Sequence, residues 1–130
     1  MQACPGSRER AGCGLAGWLA TTASDELRWR FLAEFLEEYR WETAPGRLRL
    51  LTDEPGSSGD PRWDVLLAAL AEHLAARDGA AGPDWSDRRA LHRFWFPFNT
   101  PAARVDAVVH APAAFRKRGV FVAARDLEVA

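Results

Sequence analysis

Polar and apolar positions along this chain follow a helical rhythm over most of its length. Leu27, Phe31, Leu32, Phe35, Leu36 and Tyr39 stand at i, i+4, i+5, i+8, i+9 and i+12, a wide apolar stripe on a helix of about four turns. Ser24 is suited to cap it, and Asp25 and Glu26 fall in its first turn, where the helix dipole favours anions. Pro45-Gly46 is expected to end it. A second stripe, Trp63, Leu66, Leu67, Leu70 and Leu74, falls at i, i+3, i+4, i+7 and i+11. Asp60 reads as its N-cap, Pro61 as the first helical residue and Gly79 as the residue past its end. Ala68, Ala69, Ala71 and Ala75 allow a neighbour to approach closely.

The remaining segments are shorter. Leu48 to Thr52 is a helical turn or a connector, and Asp53 to Gly59 is a loop rich in Gly, Ser and Pro. Trp85 to Phe96 is expected to be helical, with Ser86 as N-cap and Leu91, Phe94 and Trp95 as its apolar side, broken by Pro97. Thr100-Pro101 repeats the cap-then-proline signal and starts a helix carrying Val105, Val108 and Val109. Ala111-Pro112 opens a short turn through Phe115 and Arg118 that Gly119 ends, and Val120-Phe121-Val122 reads as a small extended piece. The expected fold is mainly α: a small bundle of four to five helices around two long antiparallel ones, with at most a short extended segment near the C-terminus. Residues 1–23 read as a flexible or partly docked tail, with Trp18 and Leu19 packing on a single helical domain over 24–130.

Composition narrows the class of molecule. The chain has 130 residues, 48% hydrophobic and 27% charged, enough to build one core and too apolar for a disordered chain. Its longest unbroken apolar run falls far short of the ~20 residues of a membrane span. A secretion signal is set aside because Glu9 and Arg10 interrupt the first residues and Gly12, Gly14 and Gly17 follow. A lipoprotein box at Arg10-Ala11-Gly12-Cys13 is set aside because Arg stands where Leu is wanted. Cys4 and Cys13 are the two cysteines, so a cytoplasmic, disulfide-free chain is expected.

Catalytic signatures are missing from the sequence. His73, His92 and His110 sit on different segments, with no His-Glu-x-x-His and no Cys pair at two-residue spacing, so no metal and no other cofactor is expected. There is no Gly-x-Ser-x-Gly elbow, and Gly56-Ser57-Ser58-Gly59 lacks the lysine and preceding strand of a phosphate loop. Without a nucleophile beside a base or a pair of working carboxylates, no reaction can be written, and no catalytic residue is assigned.

Two features do point to binding. Net charge is −1 in total, but it is unevenly spread. Asp25 to Glu42 carries six acids and three bases, Thr43 to Trp85 seven and four, and Ser86 to Ala130 four acids against eight bases. Arg116-Lys117-Arg118 is the densest basic cluster and could meet an acidic partner or nucleic acid. The second feature is Phe94-Trp95-Phe96-Pro97-Phe98. A single element can bury only some of these rings on one side, and such residues concentrate in protein interfaces.

Several of these segments carry a resemblance. Phe35-Leu36-Glu37-Glu38-Tyr39-Arg40, then Gly59-Asp60-Pro61-Arg62-Trp63-Asp64 leading into Leu66 through Leu74, are similar to the C-terminal region of short actinobacterial helix-turn-helix regulators of antitoxin type. Trp95-Phe96-Pro97, Ala111 to Phe115 and Arg118 to Val122 fit the same pattern. In that family a helix-turn-helix domain precedes the matching region, and residues 1–23 are too short and Gly-rich to form one. The resemblance therefore implies the partner-facing part: a non-enzymatic, cytoplasmic interaction domain that binds and occludes a protein partner, such as the product of a neighbouring gene. Phe94, Trp95, Phe96 and Phe98 would form the contact, rimmed by Arg116, Lys117 and Arg118. The alternative is a transcriptional regulator that binds nucleic acid through its basic C-terminal face.

Overall fold

A computed structural model of the chain describes residues 15–128; the expectations for Cys4, Cys13 and the rest of the first fourteen residues lie outside it. Among the described residues there are six α-helices and no strand longer than an isolated bridge, so the protein is mainly helical. The helices are α1 (Leu15–Leu19), α2 (Asp25–Trp41), α3 (Ala44–Thr52), α4 (Pro61–Arg77), α5 (Pro101–His110) and α6 (Ala113–Arg116). Single 3₁₀ turns cover Asp84–Arg88 and Ala124–Leu127. No helix is long and apolar enough to cross a membrane among these residues. The chain gathers into two compact units, Met1–Asp64 and Val65–Ala130, with the boundary inside α4.

In the first unit, α2 begins as its sequence suggests: the Ser24 hydroxyl accepts a hydrogen bond from the Leu27 N–H. Its buried face is Arg28, Leu32, Leu36 and Tyr39, so a cation sits in line with the apolar stripe. Arg28 is tolerated there because its guanidinium bonds the Leu19 carbonyl at 3.3 Å and Asp60 at 3.2 Å. The end of the expected tail is ordered. In α1, Leu15, Ala16 and Leu19 are buried, and the Trp18 ring meets Phe31 edge-on at 5.6 Å.

Pro45-Gly46 does not stop α2. Thr43 caps a new helix through a bond from the Gly46 N–H at 3.2 Å, and Pro45 lies in the first turn of α3, where its missing N–H costs nothing. The Gly-Ser loop is a capping device for α4: the Ser58 N–H and hydroxyl both donate to Asp64 at 2.7 Å, while Asp60 accepts from the Arg62 N–H at 2.9 Å. Trp63 is fully buried, its indole N–H donating to Asp25 at 2.9 Å and its ring edge-on to Trp29 at 5.4 Å.

In the second unit, α4 is buried on nearly every side from Val65 to Ala71, as an all-apolar helix requires. Gly79, at φ +76°, ends it with two reversed bonds, Ala80 N–H to Ala75 and Gly79 N–H to Ala76. The same arrangement at Gly119 ends α6.

The helix expected over Trp85 to Phe96 does not form beyond the turn at Asp84–Arg88. Its backbone bonds go elsewhere: Leu91 N–H to Arg118, Trp95 N–H to Gly119, and Phe121 N–H to the Trp95 carbonyl, at 2.8–2.9 Å. Pro97 also biases Phe96 away from helical backbone. The result is a parallel bridge between Trp95 and Val120.

Candidate interaction surface

Around the Trp95 bridge, neighbouring residues point to opposite sides of the backbone. Phe94 and Phe96 accordingly share a partner, Phe121, whose ring is edge-on to Phe94 and stacked on Phe96, each at 5.1 Å. Trp95, of the other parity, is half-buried. Phe121 is buried against Ala107 of α5 and Ala111 just past its end, with Phe96 covering the cluster. The aromatic run is thus anchored at Phe121 but not enclosed: Phe94 is 73% exposed, and Phe98 is also open to solvent.

Helix α5 extends this open surface. The Thr100 hydroxyl caps it by accepting from the Ala103 N–H, with Pro101 in the first turn. Its inward face is small: Ala107 and the following Ala111 are buried and Ala103 is half-buried, at i, i+4 and i+8. The branched side chains lie on the opposite face. Val105 is 65% and Val109 61% exposed, with Val108 exposed beside them. These three valines belong to the surface although the sequence reading did not single them out. The available signal was the alanine spacing, which offers a second, narrower face for close packing.

Arg116, Lys117 and Arg118 do not act as one basic cluster. Arg118 is 3% exposed, which removes it from the expected rim. Its guanidinium donates to Glu72 at 2.6 Å, to the Ala114 carbonyl at 2.8 Å and to the Ser86 carbonyl at 3.0 Å. Lys117 also pairs with Glu72, at 2.8 Å. Arg118 is held there because a carboxylate this close to a buried guanidinium offsets its lost hydration, whereas the Lys117 ammonium stays half-exposed. Arg116 is exposed, donates to the Val108 carbonyl at 2.7 Å and lies over the Phe121 ring. Arg104, also exposed, stands over the Phe96 ring at 4.6 Å. Two cations therefore rest on the rings that floor the surface, a favourable arrangement with the ring quadrupole. On the other flank, Asp106 holds Arg125 at 2.6 Å and lies 3.9 Å from His110.

Burial pushes the Glu72 carboxyl up, but hydrogen bonds from Lys117 and Arg118 and their charges outweigh it, leaving Glu72 below the usual carboxylate range. In the first unit Asp60 is likewise lowered: burial raises it, and the bonds and charge of Arg62, with Arg28, reverse this. Burial holds His73 below the ordinary imidazole value, aided by Arg77 and opposed by Glu128; its ring packs edge-on to Phe115. All three groups bind protons more weakly folded than unfolded, so acid favours the unfolded chain. Stability is expected to be full near neutral pH, to begin falling below about pH 6.5 and to fall further through about pH 4. Urea midpoints measured from pH 7.5 to 3 check this; a midpoint that holds or rises toward pH 3 contradicts it. Among the described residues no group of three His, Cys, Asp or Glu is placed to hold a metal ion. Comparison with family models, with curated proteins and with solved structures returned no match.

Proposed function

We propose that the chain is a non-enzymatic interaction domain that binds a protein partner through Phe94, Phe98, Val105, Val108 and Val109 and occludes the surface it covers. The observation that carries this reading is the outward row of valines. Helix α5 packs through alanines, so its branched side chains serve no purpose in the unit's own packing and lie beside two exposed phenylalanines. Exposed apolar rows of this kind mark sites where another molecule excludes water. The antitoxin-like resemblance supports the same reading and suggests the product of a neighbouring gene as partner. The nucleic-acid alternative draws less support, because Lys117 and Arg118 are taken up by Glu72 and offer little to a phosphate backbone.

Co-expression with the neighbouring gene's product, followed by size-exclusion chromatography, tests the reading. The two proteins are expected to elute together, and the Phe94→Asp, Val109→Asp double variant to elute apart from the partner while unfolding within about 1.5 kcal/mol of the parent, since both positions are exposed and the packing lost is the Phe94–Phe121 ring contact. Equal co-elution of parent and variant, or separate elution of both, counts against it.

A further inference from the structure

We infer that the surface on α5 takes an acidic amphipathic helix, its apolar seam on Val105, Val108 and Val109 and its carboxylates toward Arg104 and Arg116. This rests on the partner-binding reading and names the chemistry of the partner's contacting segment. The first argument is geometric. Val105, Val108 and Val109 form a seam at i, i+3 and i+4 on a ten-residue helix, the spacing a second helix meets with its own i, i+3, i+4, i+7 row.

The second argument is charge. From Arg88 to Ala123 the chain carries seven cations (Arg88, Arg89, Arg93, Arg104, Arg116, Lys117, Arg118) and one carboxylate, Asp106; Glu72 takes up Lys117 and Arg118, which leaves five. Asp106 is held by Arg125 on the far flank of α5. Arg104 precedes Val108 by one turn, and Arg116 donates to the Val108 carbonyl, so both guanidinium groups border the seam on one side. Both contact neutral groups: the Asn99 amide and the Phe96 ring for Arg104, the Val108 carbonyl and the Phe121 ring for Arg116. A segment with Glu or Asp beside its apolar row completes these charges; one with Lys or Arg meets repulsion. The same pattern disfavours a second copy of this chain, since an antiparallel two-fold pairing of α5 sets the Arg104 flank against its own image.

Fluorescence anisotropy with the full chain and three stapled, fluorescein-labelled helical peptides of about 18 residues tests the inference. One carries Leu at i, i+3, i+4 and i+7 with Glu beside them, one replaces Glu by Lys, and one keeps Glu but replaces Leu by Ser. The Leu–Glu peptide is expected to bind saturably, at least about tenfold more tightly than either relative. Val105→Asp is expected to abolish that binding, and Arg104→Glu to weaken it at least about threefold and reduce its salt dependence. Equal or tighter binding of the Leu–Lys peptide overturns the acidic partner, while co-elution with the neighbouring gene's product would leave the partner-binding reading standing. No peptide binding at 100 µM (about the weakest affinity of interest) overturns it too. So does a Val105-dependent dimer in light scattering, which assigns the seam to a second copy. Tighter binding of a duplex or single-stranded oligonucleotide at the same face overturns both readings.

Discussion

Glu72→Ala is expected to lower the free energy of unfolding by about 3 kcal/mol, the low end of the cost of breaking a buried pair, because Glu72 itself keeps some contact with water. The loss falls on Arg118. Its guanidinium would stay buried with the Ser86 and Ala114 carbonyls as partners and Asp87, at 3.9 Å, as its nearest anion. Lys117→Ala removes the other cation on the same carboxylate but is expected to cost under about 1 kcal/mol, since the half-exposed Lys117 ammonium is already hydrated and Arg118 keeps Glu72 as its partner. Urea denaturation followed by circular dichroism gives both values. Adding Arg118→Met to Glu72→Ala is expected to restore part of the loss, because the stranded charge goes with the guanidinium. A Glu72→Ala variant within about 0.5 kcal/mol of the parent would show that the carboxylate does not hold Arg118 in place.

Trp63→Ala is expected to cost about 3–5 kcal/mol, the range for emptying a large buried aromatic site. Trp63 is fully buried, bonded to Asp25 and packed against the Trp29 ring, with the Arg28 guanidinium over its own ring. Trp63→Phe keeps most of the packing but loses the indole N–H; about 1–2 kcal/mol is expected, since half-exposed Asp25 recovers a bond from water. The two variants separate volume from hydrogen bonding. A Phe variant as unstable as the Ala variant would place the weight on the Asp25 bond instead.

How far the sequence reads into the fold depends on whether its signals are local. Ser24, Asp60 with Pro61, Thr100 with Pro101, and Gly79 are chemically committed to helix ends, and each stands where its chemistry requires. Pro45 has two local meanings, stop or first turn, and Thr43 selects the second. The segment from Leu91 to Phe96 fails as a helix for a non-local reason: its backbone partners lie near Gly119, beyond the reach of any periodicity. Arg28 and Arg118 look like surface cations in sequence, and only the carbonyls and carboxylates brought to them explain their burial. The candidate surface was half legible. The aromatic run announces itself, whereas the valines of α5 read equally well as core until Ala107 and Ala111 are seen filling that role.

The parallel bridge at Trp95 and Val120 also bears on how the molecule assembles. It closes a chain loop of about 25 residues, an entropic cost that two intervening helices too short to be stable alone do not remove. The phenylalanine floor is therefore complete only once residues far apart in sequence have met. Until that pairing closes, a newly made chain carries the Phe94–Phe98 stretch uncovered and open to misassociation.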